Sequence, residues 1–150
     1  MILLLLALLP RVEVEGSVLR IYTREGEFRG QIASERIQSR GDLYIFKEPQ
    51  GLLRVDGLTL LIRASEASYD AARQVLLFEG KVRGQQEEMG IRLESQRILY
   101  DLETGEIQSP EVLWVEMRGL RLRGQRFRAD WKARTIWLSG GVEGLLAEAT

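Results

Sequence analysis

The stretch ASYDAARQVLLFEGKV, residues 67–82, decides the fold, because the chain repeats its pattern twice more. The second copy is ILYDLETGEIQSPEV at 98–112, and the third is FRADWKARTIWLSGGV at 127–142. Their aspartates fall at 70, 101 and 130, and their last valines at 82, 112 and 142. A fainter copy begins at Glu35. A fixed period of about 30 residues is typical of arrays of equivalent supersecondary units. Each unit is predicted to be a strand, a short turn and a second strand.

The remainder of the chain is also predicted to be β-structure. Strands are predicted over 12–18, 18–22, 28–37, 43–46 and 52–62, the last hinged at Asp56-Gly57, and the longest polar loop at 84–90. Nothing in this body shows sustained i, i+3, i+4, i+7 apolar spacing, which helices require. Short strands with turn signals about every 8 to 12 residues predict an all-β sandwich or roll. Successive antiparallel units leave one free edge near each terminus.

The amino-acid composition excludes several kinds of catalytic and metal-binding chemistry. The 150 residues contain neither cysteine nor histidine, so thiolate chemistry and the commonest general base and metal ligand are excluded. The hydrophobic share of 45% suffices for a core, and the net charge of −1 gives no global attraction to nucleic acid or membrane. No catalytic residue, metal site or cofactor is predicted.

The repeated aspartates Asp70, Asp101 and Asp130 have two interpretations. As paired carboxylates they would serve acid–base catalysis. As residues at strand ends they would accept backbone N–H groups and begin turns. The second interpretation is favoured, because no histidine, cysteine or lysine stands at a matching spacing to complete a catalytic site.

A cationic stretch runs from Glu116 to Arg134, with seven cations against two acids and a local sum of +5. Charge runs usually form a solvated face, and here they would also protect a strand edge. The alternative interpretation is that these cations attract phosphate groups. Leu120 and Leu122 alternate with Arg121 and Arg123, which predicts apolar side chains on one face and guanidinium groups on the other.

The apolar run Met1–Leu9 is too short to cross a bilayer, which takes about 20 residues. It also lacks the basic region and cleavage site of a secretory signal. Two interpretations stay open: the end of a truncated N-terminal membrane anchor covering residues 1–11, which is favoured, or a buried strand or helix.

Three runs together resemble the LptC family, the membrane-anchored C component of lipopolysaccharide export. They are IYTREGEFRGQIASE at 21–35, IRASEASYD at 62–70 followed by LLFEGKV at 76–82, and LYDLETGEIQSP at 99–110. The likeness covers about residues 18–144. The short N-terminus departs from it and would also suit the related soluble A component, a bridge protein.

The resemblance implies a twisted, partly open β-jellyroll, here residues 12–150, anchored in the inner membrane by one N-terminal segment and facing the periplasm. It implies that lipopolysaccharide acyl chains lie inside, whereas the sugar–phosphate part stays outside. It also implies an inner-membrane ABC transporter at one edge and an LptA-like bridge protein at the other, with a homodimer as a further edge-to-edge option and no nucleic acid. Alternation predicts the inward-facing residues, and the resemblance implies that they form a lipid-binding lining, although the same alternation is equally typical of an ordinary dry core. They are Phe46, Ile62, Phe78, Leu93, Trp114, Leu122 and Phe127.

Two rival functions remain. The first is a structural β-repeat adaptor that associates edge to edge without carrying lipid. A dry interior would favour the adaptor, and a continuous apolar groove would favour the carrier. The second, ranked well below, is a small glycan hydrolase, which would need a carboxylate pair in a cleft.

Overall fold

The structure, a computed structural model, describes residues 11–15, 17–23, 25–55, 58–104, 106–130 and 135–146. These residues form β-strands and turns, which confirms the all-β prediction. The strands are β1 (Arg11–Glu15), β2 (Val18–Tyr22), β3 (Phe28–Ala33), β4 (Arg36–Arg40), β5 (Leu43–Lys47), β6 (Gln50–Val55), β7 (Leu58–Arg63), β8 (Glu66–Asp70), β9 (Val75–Gln86), β10 (Ile91–Asp101), β11 (Ile107–Met117), β12 (Leu120–Asp130), β13 (Thr135–Ser139) and β14 (Glu143–Leu146).

The described strands belong to one antiparallel sheet that is folded over into two layers. Layer A contains, in order, β1, β2, β3, β6, β7, residues 82–86 of β9, 91–95 of β10, 113–117 of β11, 120–124 of β12, and β14. Layer B contains β4, β5, β8, residues 75–79 of β9, 97–101 of β10, 107–108 of β11, 126–130 of β12, and β13. The arrangement is consistent with the predicted twisted β-jellyroll.

On one side, the corner seam, the chain passes from one layer to the other. The seam comprises residues 33–35, 47–49, 64–66, 80–81, 95–97, 109–112, 124–125 and 140–142. Strands β9 to β12 each run through it, with irregular register where they bend. Ser34, Ser65 and Ser95 occupy equivalent places, 31 and 30 residues apart. Each places its hydroxyl against a carbonyl oxygen of a neighbouring corner: Lys47 at 2.6 Å, Gly80 at 3.3 Å and Val112 at 2.8 Å.

The opposite side, the turn seam, is where the hairpin turns of both layers meet. It includes residues 23, 25–27 and 86–91 of layer A and residues 71–74 and 102–104 of layer B. Asp70 and Asp101 build two of these turns, since each Oδ1 accepts two backbone N–H groups at 2.9 to 3.3 Å. The turn-forming interpretation of these aspartates is therefore confirmed. The turn after Asp130 lies outside the described residues.

Two predicted boundaries were wrong. The strand predicted over 28–37 is broken at Ser34, because the chain turns there from layer A into layer B. The polar loop predicted over 84–90 is shortened to 87–90, because residues 84–86 pair with β10 and belong to β9. Gly84 faces the interior, where an added Cβ would lie 3.3 Å from Leu93.

The core lies between the two layers. Its buried apolar side chains come from both: Leu19, Ile21, Ile32, Leu53, Leu60, Ile62, Val82, Leu93 and Val115 from layer A, and Phe46, Tyr69, Leu76, Phe78, Ile98, Tyr100 and Phe127 from layer B. The layers are in direct contact, since a Cβ added at Gly51 would lie 3.2 Å from the ring of Phe78.

Residues 1–10, which carry most of the predicted anchor, lie outside the described residues. In the part of the chain that the structure describes, no helix is long and apolar enough to span a bilayer. The split into residues 1–11 and 12–150 therefore stays a prediction.

Candidate functional site

The inner faces of the two layers hold most of the predicted lining. Five of its residues are fully or almost fully buried between the layers, where alternation predicted them. They are Phe46, Ile62 and Phe78 at 0% exposure, Leu93 at 1% and Phe127 at 4%. Leu122 is also on the inner face, because it pairs with the buried Val115, but it is only half-buried. Six of the seven predicted residues therefore share one interior.

Trp114 is a correction. Its strand neighbours Leu113 and Val115 are buried, so the indole lies on the outer face of layer A and does not line the interior. There the guanidinium of Arg121 covers the indole at 4.6 Å from the ring centroid, and Arg123 is directly opposite in the register. A cation over an indole face is a favourable contact. The alternation of arginines in β12 was the sequence signal that could have placed Trp114 outside.

The two layers are closely packed at one end of the turn seam. At the turn seam, a pocket of about 20 Å³, lined by Gln86 and otherwise by apolar side chains, separates Leu58, Leu60 and Ile91 of layer A from Ile107 and Phe127 of layer B. A volume of that size holds about one water-sized group. Side chains therefore fill the space between the layers along this part of the seam, and an acyl chain would need the layers to separate.

A hydrogen bond joins the layers across the turn seam. The hydroxyl of Tyr100, on layer B, donates to the carbonyl oxygen of Arg54, on layer A, at 3.0 Å. The Tyr100 ring is buried at 1% exposure. This contact contrasts with the corner seam, which four continuous strands cross.

A second pocket, which sequence reasoning missed, lies between the layers at the other end of the turn seam. It has a volume of about 250 Å³. Tyr69 lies against it at 0% exposure, and burial is the main reason that its pKa is raised to about 12. Among the described residues, the Tyr69 hydroxyl and the buried Nε of Arg29 have no hydrogen-bond partner. The pocket is lined by Ile21, Tyr22, Thr23, Glu25, Arg29, Tyr69, Gln74, Leu102 and Glu103.

Sheet edges offer a different kind of site. Strands β1 and β4 end the two layers on the N-terminal side, and β13 and β14 end them on the C-terminal side. Edge strands present backbone N–H and C=O groups that a strand of another chain can pair with. The side chains of β4 are mostly exposed.

The described residues contain no group of three or more acidic side chains placed to hold a metal ion. Asp70 and Asp101 each accept hydrogen bonds within their own turns. The features of the described part that bear on function include an apolar core, a pocket of mixed polar and apolar lining at the turn seam, and open sheet edges.

The described residues form a two-layered β-jellyroll with an apolar core and open sheet edges. The chain matches the family model described as "Lipopolysaccharide-assembly, LptC-related" over residues 10–147. The protein belongs to this family, and its role is in lipopolysaccharide transport. Comparison with curated proteins gave no match.

Proposed function

We propose that this protein receives lipopolysaccharide from the inner-membrane ABC transporter, shelters its acyl chains between the two layers and passes it to a periplasmic bridge protein. The observation that carries the proposal is the family match over residues 10–147, and the apolar core to which both layers contribute is compatible with it. Membership of the family indicates which lipid is carried. The fold provides an apolar interior, and the hairpin turns of both layers meet along one side of it.

The two seams differ in how easily they can open. Separating the corner seam would break the backbone ladders of β9 to β12. Separating the turn seam breaks side-chain contacts and the Tyr100–Arg54 hydrogen bond, whose net contribution is about 1 kcal/mol. Lipid therefore enters sideways through the turn seam, with the corner seam acting as a hinge.

Burial of the lipid's acyl chains provides the free energy for separating the two layers. Each methylene taken out of water contributes about 0.8 kcal/mol, so one acyl chain can replace the contacts that the layers lose. Because the pocket between the layers at Leu60 and Phe127 has a volume of only about 20 Å³, loading at that end of the turn seam must be coupled to separation of the layers. The sugar–phosphate part stays at the seam, in contact with water.

The edge strands of the sheet are the docking sites for partner proteins. Backbone pairing at one end of the sheet would receive the transporter, and pairing at the other end would receive the LptA-like bridge protein or a second copy of this chain. Residues 1–11 would anchor the protein in the inner membrane with the jellyroll in the periplasm.

The test compares a charge on the inner face with one on the outer face. Leu122 and Leu77 are both half-buried leucines, on the inner and outer faces respectively. In the full-length chain, Leu122→Glu should lower the amount of lipopolysaccharide bound by at least severalfold, whereas Leu77→Glu should leave it near the wild-type level. Equal binding by both folded variants would contradict an interior lipid site.

A second candidate function is the structural adaptor, which associates edge to edge without lipid. The observation in its favour is the small volume of the apolar pocket, because a closed core needs no cargo to be stable. The two functions differ in the effect of lipid on the seam. Amide hydrogen exchange at the turn seam should rise on lipid addition for the carrier, whereas it should stay unchanged for the adaptor.

A further inference from the structure

The outer face of layer A carries an excess of positive charge. From β6 to β12 its outward-facing charged side chains are six arginines and two glutamates, a local sum of +4, in a protein whose net charge is −1. The glutamates are Glu94 and Glu116, and the arginines are Arg54, Arg63, Arg83, Arg92, Arg121 and Arg123. Each of these side chains alternates along its strand with residues of the inner face, and five of the six arginines are exposed. The charge is therefore open to solvent.

The outer face of layer B is balanced by comparison. Over β4, β5, β8 and the layer B parts of β9 to β11 it carries four cations and four acids. They are Arg36, Arg40, Lys47 and Arg97, and Glu66, Asp70, Glu79 and Asp101. The Nε of Arg97 is 3.6 Å from a carboxylate oxygen of Glu79 and 3.8 Å from one of Glu111. The positive excess is therefore a property of one face and not of the solvated surface as a whole.

Three arginines of the layer A face form no ion pair with a described residue. Arg121 does form one, since its Nη2 is 3.9 Å from Oε2 of Glu94. Within the part of the chain that the structure describes, no carboxylate pairs in this way with Arg63, Arg83 or Arg92. A guanidinium group presents its donors in a planar fork that matches phosphate oxygens. These exposed guanidinium groups can therefore bind an anionic partner.

The layout of the face suits a broad partner surface. The arginines lie on β6, β7, β9, β10 and β12, and the adjacent strands from β7 to β12 cover about 20 Å. A stable interface with a protein would need an apolar centre. The large apolar side chains between the arginines are Leu52, Leu61 and Trp114, of which only Leu52 is exposed. A broad cationic face without an exposed apolar centre fits the headgroup region of a bilayer better than it fits a protein.

Trp114 fits the same partner. Its half-buried indole lies among the cations, with the guanidinium carbon of Arg121 at 4.6 Å and that of Arg123 at 6.0 Å from the ring centroid. Indole rings are amphipathic and favour the interface between water and a bilayer. Anionic lipids attract clustered Lys and Arg side chains, and each such cation near the surface strengthens the binding.

We propose that the outer face of layer A rests on a bilayer that contains anionic phospholipids, with its arginines pairing with the headgroup phosphates. Layer B then faces away from the bilayer. The inference goes beyond the proposed function, because these phospholipids are a docking surface and not cargo, and it does not require lipid between the layers. In the proposed function the protein stays at the inner membrane, so a bilayer surface is close to it.

The test measures how close each face comes to a bilayer. The chain contains no cysteine, so Gln85→Cys on the outer face of layer A and Gln38→Cys on the outer face of layer B each give one site for a fluorophore. The labelled full-length proteins are mixed with vesicles of phosphatidylcholine, alone or with phosphatidylglycerol, in which some headgroups carry a nitroxide quencher. We expect quenching at Gln85→Cys with the anionic vesicles at about 0.1 M salt. It should be severalfold weaker with neutral vesicles, at about 1 M salt, or at Gln38→Cys.

Two pairs of exposed cations provide matched variants. Arg63 and Arg83 lie opposite each other on layer A, and Arg36 and Lys47 lie opposite each other on layer B. Arg63→Gln combined with Arg83→Gln should weaken the affinity for anionic vesicles by roughly tenfold, whereas Arg36→Gln combined with Lys47→Gln should change it little. Because all four side chains are exposed, both double variants should keep the denaturant midpoint of the wild type.

The proposal would be overturned by equal quenching at the two labelled positions, by equal quenching from neutral and anionic vesicles, by no quenching at all, or by equal loss in the two double variants. A further variant separates this inference from the proposed function. Leu122→Glu, which should lose lipopolysaccharide, should keep the quenching, because Leu122 is on the inner face. Failure of the interior carrier and failure of the bilayer contact therefore give different results.

Discussion

The corner seam and the turn seam join the same two layers by different interactions. At the corner seam, backbone continues from layer to layer, and the seryl hydroxyls of Ser34, Ser65 and Ser95 bond carbonyl oxygens of adjacent corners. At the turn seam, the layers meet through side chains and the Tyr100–Arg54 hydrogen bond. The difference gives the jellyroll one side that acts as a hinge and one side that can open, which is what a carrier with lateral loading requires.

The largest expected loss of stability comes from removing a contact between the layers. Phe78→Ala removes a fully buried ring that packs against Gly51 of the opposite layer, and it should lower the free energy of unfolding by about 3–5 kcal/mol. Leu77→Ala, on the outer face, should cost about 1 kcal/mol or less. Urea denaturation of both variants measures the difference. Similar losses would mean that the layers do not depend on this contact.

The corner seam is tested by comparing Gly80, which lies in it, with Gly41, which lies outside it in the turn between β4 and β5; both have positive φ. Gly80→Ala meets both a strained backbone at φ +83° and the Ser65 side chain 2.8 Å from the new Cβ, so it should cost about 2–4 kcal/mol. Gly41→Ala, at φ +61° with no atom within 4 Å, should incur only the backbone cost of about 1–2 kcal/mol. Equal midpoints in thermal unfolding would show that close packing at the corner contributes nothing.

The turn seam is tested by Tyr100→Phe, which removes the hydrogen bond to the Arg54 carbonyl and keeps the buried ring. Global stability should fall by about 1 kcal/mol. Amide exchange in β6 and β7 near the seam should accelerate, while exchange at the corner residues of β9 and β10 should not. A uniform acceleration at both seams would indicate that they open together.

Alkaline pH should lower the stability only at values above about 10, so this effect is absent under ordinary conditions. Burial raises the pKa of Tyr69 to about 12, with smaller contributions from Asp70 and Tyr44. The folded state therefore favours the neutral phenol, so the stabilisation is complete below the unfolded pKa of about 10 and is lost as pH rises to about 12. Denaturation at pH 9 and pH 11 should show a larger decline for wild type than for Tyr69→Phe, and equal declines would contradict a buried phenol.

The sequence predicted those features that depend on local periodicity. The repeat identified the strands, and regular alternation placed Phe78 and Leu93 inside. The face of Trp114 was mispredicted because residues 112–115 are all apolar, so both phases look alike, and the register irregularity before Leu113 resets the alternation. The interval between Ser34, Ser65 and Ser95 could have revealed the corners.

The pocket at Tyr69 could not be predicted from the sequence. It depends on a bulge at Arg29 and on the meeting of β2 with the turn after β8, which are far apart along the chain. Alternation predicts which face of its strand Arg29 occupies. It does not predict which residues of the opposite layer lie near Arg29. Long-range packing, and not local pattern, creates the two unpaired donors.

The most direct test of an interior lipid path is photocrosslinking to lipopolysaccharide in the intact chain. A photoreactive residue is placed in turn at Phe78 on the inner face and at Leu77 and Trp114 on the outer faces of layers B and A. The account predicts a crosslink at Phe78 and none at Leu77 or Trp114. Crosslinks at the outer positions without one at Phe78, or no crosslink in any folded variant, would contradict lipid transport between the layers.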